Sequence, residues 1–357
     1  MEFFDLFNIY LPVAGTEFNV LLLLAIGFCV GVLGGFFGVG GAWIVTPALN
    51  IFGFPMPYAI GTDFAHIFGK SIVATRKHGK MGNVDWKLGF TIPLGTILGV
   101  EIGAQFIMAL EAWGKDLGYD LVGSVVRWTY IVMLFALSSW MFYDYFVIRK
   151  RREQEVLRTD ESTNMLPRKK TVIEKLRDIH IPPMISYPKS GIEAISIWVI
   201  IFIFFFAGLI SGFLGVGGGF IKMPTMVYLL GCPTALAVGT DLFVVMLDGA
   251  YGCFSYAMKG RVELFAAVFM LVGASIGAQI GVTAVKYIRG YGIRLLFAVM
   301  IAFAGLSVLL KQLETMTGSV ALSIISGIVI MGASYAMTII IIYKLIKESR
   351  KERISNL

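Results

Sequence analysis

Charge is scarce in this chain. Asp, Glu, Lys and Arg make up 15% of its 357 residues while 57% are hydrophobic, whereas a soluble domain carries about 25% charged residues. Cysteine is scarcer still. Cys29, Cys232 and Cys253 are an odd, scattered set without CxxC spacing, which excludes a disulfide framework or a thiolate metal site and leaves small apolar packing residues. The three histidines, His66, His78 and His180, form no ligand cluster. No metal and no cofactor is expected. No Walker loop or soluble ATPase domain is present, and no nucleophile–base constellation, which argues against an enzyme. The N-terminus, MEFFDLF, lacks a basic n-region, so no cleaved signal peptide is expected.

Net charge is +7, but Lys and Arg gather in loops and the tail. That distribution follows from membrane topology and gives no warrant for a nucleic-acid partner. What the chain has in abundance is apolar sequence, in runs long enough to cross about 30 Å of hydrocarbon. The expected fold is an all-α polytopic protein embedded in a lipid bilayer.

One stretch recurs. Gly34 to Pro47 reads GGFFGVGGAWIVTP, and Ser211 to Pro224 reads SGFLGVGGGFIKMP, aligned without a gap. Gly-Thr-Asp follows each copy, at 61–63 and 239–241. The match continues from Gly82-Asn83-Val84-Asp85 to Gly260-Arg261-Val262-Glu263, and from Gly103-Ala104-Gln105 to Gly277-Ala278-Gln279. The chain therefore divides into a first membrane repeat over 1–148, a basic connector over 149–190, a second repeat over 191–346 and a tail over 347–357. Each repeat opens with an over-long apolar run, Phe18–Phe54 and Ile192–Leu230. As one helix the first would reach about 55 Å, so each must break at its glycines. Further spans are expected at Tyr58–Ala74, Leu88–Leu110, about Ser124–Ile148, Thr234–Met258, Glu263–Tyr287, about Gly292–Leu310 and Ser319–Ile346. Trp86, Trp113, Trp128 and Tyr143 fall near span ends, as interfacial belts require. Within the connector a short helix is expected over Val172–Ile179.

Loop charge bears on orientation. If each broken run enters and returns on one side, the second half is inverted, and the connector, the 286–294 turn and the tail share the cytoplasmic side. Only the Lys259–Arg261 turn is then misplaced, so the positive-inside rule favours inversion. Inverted repeats place substrate near the midplane between discontinuous helices.

Irregular backbone at that depth is tolerated only inside protein or beside a watery cavity. Gly38, Gly40, Gly41, Gly215, Gly217 and Gly218 are candidate substrate contacts, because the helices beginning near Gly41 and Gly218 aim free N–H groups inward, and such ends attract anions. Read this way, the site needs no cationic side chain. The alternative is that the glycines only let helices pack, which is the reading for Gly95, Gly99, Gly103, Gly273, Gly277 and Gly281 at four-residue spacing. Thr62, Thr240, Gln105 and Gln279 are candidate hydrogen-bond donors to an oxyanion. Asp63 and Asp241 are intramembrane acids that either relay protons or cap helices. His66 shares a face with Asp63 and Asp248 with Asp241. Lys222 pairs either with an anion or with one of these acids. Glu101 is the most isolated acid in a span.

With G-x-x-G-V-G-G-G/A, the downstream Pro, G-T-D and G-x-x-x-G-A-Q in both halves, the chain resembles the TauE/SafE family of membrane permeases. The likeness covers nearly all of it except the connector, longer than the family usually carries, and the tail. The resemblance implies a permease moving sulfur-containing oxyanions or organosulfonates, such as sulfite, across a prokaryotic inner membrane. Alternating access by a secondary transporter is the expected mechanism. A passive anion channel, or a membrane sensor signalling through the 149–190 connector, is the alternative. Self-association into a homo-oligomer is left open.

Overall fold

The computed structural model describes residues 7–148, 179–287 and 291–355. The helix expected over Val172–Ile179 lies almost wholly outside them. The first half runs β1 (Asn8–Leu11), β2 (Thr16–Asn19), α1 (Val20–Phe37), α2 (Ala42–Ile51), α3 (Met56–Lys80), α4 (Trp86–Thr91), α5 (Pro93–Leu117) and α6 (Leu121–Tyr143). The second runs β3 (Met184–Tyr187), β4 (Ile192–Ser196), α7 (Ile197–Leu214), α8 (Gly219–Tyr228), α9 (Thr234–Met258), α10 (Leu264–Ala284) and α11 (Tyr291–Thr317), then adds α12 (Val320–Ser355). Among the described residues, eight helices are long and apolar enough to cross a membrane. The chain is an all-α polytopic membrane protein.

Each over-long run is a hairpin of helices. The Asn19 side chain caps α1 by accepting from the N–H groups of Leu21 and Leu22. The helix ends at Gly38, whose φ of 79° is left-handed and whose N–H donates to the Gly34 carbonyl. Gly40 and Gly41 are also left-handed, with φ of 67° and 76°, and three such residues within four positions reverse the chain. Only glycine takes these angles without a penalty. The return is complete, because Phe18 before α1 packs edge-on to Phe52 and Phe54 after α2. Gly215, Gly217 and Gly218 repeat the turn, with φ of 76°, 58° and 69°.

The first arm of each hairpin packs on the other half. Gly27, Gly31 and Gly35 of α1 abut Met270, Ala274 and Ala278 of α10, while Gly273, Gly277 and Gly281 receive the α1 backbone in turn. Gly95, Gly99 and Gly103 of α5 meet α7 in the same way. Both pairs run parallel, since residue numbers rise together, and the six glycines are packing faces as their spacing predicts. Between them α3 and α9 pair antiparallel: Gly61 abuts the Arg261 carbonyl beyond the end of α9, and Gly239 abuts the Asn83 carbonyl beyond the end of α3.

Two differences from the expected spans have physical causes. Helix α3 continues to Lys80, past the expected Ala74, because Arg76, Lys77 and Lys80 carry long stems that reach polar surroundings from a helix end. The expected Leu88–Leu110 span is divided at Pro93, whose ring nitrogen has no N–H to continue the ladder. Two short antiparallel hairpins, β1–β2 and β3–β4, precede α1 and α7 where no strands were expected. Trp86, Trp113, Trp128 and Tyr143 are exposed, in keeping with an interfacial belt.

Candidate functional site

The two glycine turns meet at the centre. A Cβ on Gly40 would lie 2.8 Å from Val245 and 3.7 Å from Ile67, and one on Gly217 would lie 3.3 Å and 3.4 Å from the same two side chains. Ile67 and Val245 sit halfway along α3 and α9 and are counterparts in the repeat. The turns also touch each other, for a Cβ on Gly219 would come within 2.5 Å of the Val39 carbonyl oxygen. Neither α2 nor α8 has a side-chain cap, so the first-turn N–H groups of both helices are left without side-chain acceptors, at the positive ends of their dipoles. Gly38 and Gly215 play another part. Their N–H groups donate to Gly34 and Ser211 and close the preceding helices.

The buried charges of α3 and α9 gather around these ends. Asp63 accepts from Thr46 Oγ1 at 2.9 Å and lies 3.4 Å from His66 Nδ1. Lys70, one helical heptad further on, donates from Nζ to the Gly40 carbonyl, and it is fully enclosed. In the other half Lys222 Nζ lies 2.5 Å from Asp248 Oδ2, and Thr96 Oγ1 donates to Asp248 Oδ1 at 2.5 Å. Lys222 arises from the first turn of α8, with its Cε 3.0 Å from where a Gly218 Cβ would stand. Both carboxylate oxygens of Asp241 are buried without a hydrogen-bond partner. Its Asp63 counterpart has Thr46, but the position matching Thr46 is Met223, which has no hydroxyl to offer.

Each uncapped helix end therefore has a lysine beside it, one from α3 and one from α8. This corrects the expectation of an anion site without cationic side chains. Lys70 escaped the sequence reading although a signal existed: it stands seven residues after Asp63, where Asp248 stands after Asp241. In this conformation Lys222 is paired with Asp248, one of the acids named as its possible partners.

The remaining candidates lie elsewhere. Thr62 Oγ1 accepts from the Glu263 N–H and Thr240 Oγ1 from the Asp85 N–H, both at 2.9 Å, near opposite ends of the bundle. The same two acids hold the small hairpins: Glu263 Oε2 accepts from Val13 and Ala14 N–H, and Asp85 Oδ2 from Ser190 Oγ. Gln105 and Gln279 are exposed and bonded within their own helices, to Glu101 and to the Ser275 carbonyl. Neither reaches the turns. Glu101 is not isolated, because Ser255 Oγ, Tyr251 and Lys259 donate to it at 2.6, 3.2 and 3.2 Å. Among the described residues no His, Cys, Asp and Glu group could hold a metal ion.

Comparison with known proteins agrees with this architecture. The chain is 25% identical over 271 residues to the probable membrane transporter protein YunE of Bacillus subtilis, covering 74% of this chain and 87% of that relative. It is 23% identical over 313 residues to a probable membrane transporter protein of Methanocaldococcus jannaschii, covering 82% and 98%. The B. subtilis protein YdhB, also named a probable membrane transporter, is 24% identical over 263 residues, 73% of this chain and 88% of its own. No solved structure gives a significant match. The family model described as sulfite exporter TauE/SafE matches residues 23–308, and the chain belongs to that family of integral membrane proteins.

Proposed function

We propose that this protein is a secondary transporter that moves a small sulfur-containing oxyanion or organosulfonate, such as sulfite, across the prokaryotic inner membrane by alternating access. The observation that carries the reading is the meeting of two uncapped helix N-termini, each with a fully enclosed lysine, Lys70 and Lys222, where the halves cross. Backbone N–H donors and a helix dipole suit a compact oxyanion, and two ammonium groups add charge without hindering its tumbling. The antiparallel pairing of α3 with its counterpart α9, beside the parallel pairs α1–α10 and α5–α7, supports an inverted repeat. Loop charge then sets the 149–190 connector and the tail on the cytoplasmic side.

Alternating access is favoured over a passive channel because Val39, Ile67 and Val245 at the crossing are all fully buried. Anions reach such a site only when the packing opens toward one face. The test is uptake into proteoliposomes of purified protein, with sulfite, thiosulfate, sulfoacetate and taurine offered separately. Saturable uptake with counterflow of at least one of them is expected. Flux that rises linearly with concentration and shows no counterflow would establish a channel, and no flux of any of the four would remove the substrate class.

A further inference from the structure

Four polar atoms on α3 are buried without a partner: His66 Nε2, Ser71 Oγ, Thr75 Oγ1 and His78 Nδ1. Their residues are at most 5% exposed. Such groups nearly always find a protein or water partner. Residues three or four apart on a helix are neighbours, and this spacing sets the group in two adjoining stripes. Asp63, His66 and Lys70 form the first stripe, and Ser71, Thr75 and His78 form the second, about 100° around the helix and adjoining the first where Ser71 follows Lys70. Just beyond His78 the helix ends beside a cleft of about 400 Å³, lined by Lys80, Met81, Asn83, Ala235, Val285 and Lys286. Met81 and Asn83 both donate their N–H groups to the His78 carbonyl.

The chemistry of the open atoms identifies what passes. His78 Nε2 faces the Gly35 carbonyl at 3.2 Å. A carbonyl only accepts, so the neutral ring keeps its hydrogen on Nε2 and Nδ1 is a lone pair. His66 Nδ1 likewise faces the Asp63 carboxylate, leaving Nε2 as a lone pair. Lone pairs repel an oxyanion, whereas they and two hydroxyls are suitable partners for water. We propose that buried water beside α3, passing from the His78 stripe to the Asp63 stripe at Ser71 and Lys70, forms a file that carries protons between the cleft and the Asp63 carboxylate, so that anion transport is proton-coupled from that side. This rests on the transporter reading above. A proton that adds to an Asp63 oxygen removes one negative charge from the centre, and the Lys70 ammonium is then balanced by the arriving anion instead.

The other half has no such file. The counterparts of His66, Ser71, Thr75 and His78 on α9 are Val244, Gly249, Cys253 and Tyr256, and the Tyr256 hydroxyl is already bonded to the Gly212 carbonyl at 2.8 Å. The charged and titratable groups around the α3 file are few. Helix α9 presents Asp241, whose oxygens have no hydrogen-bond partner, and Asp248, which is paired with Lys222. Helix α6 presents Tyr130, whose hydroxyl donates to Leu214 O, α2 only Thr46, and α1 only the Gly35 carbonyl. On the α10 side Lys77 donates to Gln279 O and Thr283 Oγ1 at 2.5 Å each, with Lys286 close by.

Two measurements test the file. In a background lacking Cys29, Cys232 and Cys253, Ser71→Cys and Thr75→Cys should react with a membrane-impermeant methanethiosulfonate added from the connector end, and Val244→Cys on α9 should not. No reaction at either α3 position, or equal reaction at Val244→Cys, overturns the file, and this readout does not depend on any substrate. In proteoliposomes with the membrane potential clamped, a sulfite gradient should drive a pH change reported by an enclosed dye. Thr75→Val should slow that proton flux about tenfold, equal to roughly 1.4 kcal/mol on the barrier, with sulfite affinity unchanged. Sulfite uptake without any proton flux, or flux unchanged in both Ser71→Ala and Thr75→Val, overturns the coupling. Absence of sulfite uptake in the wild type, with the cysteines still reactive, counts against the substrate class and leaves the water file standing.

Discussion

Lys222 and Asp248 form a fully enclosed ion pair, Nζ to Oδ2 at 2.5 Å, with neither side chain exposed. The pair joins the short helix α8 to α9, and so ties the second glycine turn to the long helix beside it. In the first half Lys70, at the position that matches Asp248, is on the long helix and reaches back to the turn itself, at the Gly40 carbonyl. The two halves thus hold their turns by the same kind of group, delivered from opposite partners.

Breaking the second tie on one side leaves a buried charge alone. Lys222→Met and Asp248→Asn should each lose about 3–5 kcal/mol of stability, while Lys222→Met with Asp248→Leu should recover most of it, because a buried pair is often neutral against apolar residues. Thermal unfolding in detergent measures this. If Lys222 also holds the anion, the double variant regains stability but not uptake. Uptake in that variant would confine Lys222 to a structural part.

The two turns differ in the room behind them. Both Gly40 and Gly217 have left-handed φ, at 67° and 58°, so any side chain costs about 1–2 kcal/mol in backbone strain alone. Gly40→Ala adds a collision with Val245 at 2.8 Å, whereas Gly217→Ala meets nothing nearer than 3.3 Å. Gly40→Ala should therefore be the less stable, and Gly40→Leu and Gly217→Leu should both insert without transporting. Melting temperature and uptake compared at equal expression check the order. Full uptake in both leucine variants would remove the turns from the site.

The turns were legible because three left-handed glycines, repeated at a fixed offset, have little use other than reversing the chain. The Gly-x-x-x-Gly faces were legible for the same reason of spacing. Gln105 was misplaced, although the geometry was available: it follows Gly103 by two positions, about 200° around a helix, so it must face away from the packed glycine side. Thr62 and Thr240 were misplaced because the Gly-Thr-Asp signature reads as one unit. On a helix its members diverge, and Asp63 and Asp241 turn inward while the threonines reach the opposite half. The strands Asn8–Leu11 and Thr16–Asn19 carried no alternation long enough to show, and their position comes from Glu263, far away in sequence.

Those threonines give a sharp distinction between holding the fold and binding the anion. Thr62→Val and Thr240→Val keep the shape but leave the Glu263 and Asp85 N–H groups without an acceptor, at a cost of about 1–3 kcal/mol each. Stability should fall while the KM for the transported anion stays as it was. A raised KM at unchanged melting temperature would return both to the binding site. Gln105→Ala and Gln279→Ala should change neither quantity.

Asp63 carries the most specific expectation. Asparagine in its place still accepts from Thr46 Oγ1, which now donates at 2.9 Å, so the local packing survives, but no proton can be taken up and no negative charge can balance Lys70. Asp63→Asn should therefore bind the anion at least as well as the wild type, and its uptake should lose its dependence on the pH of the connector side. Asp241, whose oxygens have no partner to lose, provides the control, because no file of polar atoms leads to it along α9. Asp241→Asn should leave that dependence in place. Uptake rates measured across a pH series on each side of the vesicle decide the matter. Equal loss of pH dependence in both variants would mean that the two halves share the proton, and the asymmetry argued from His66, Ser71, Thr75 and His78 would fall.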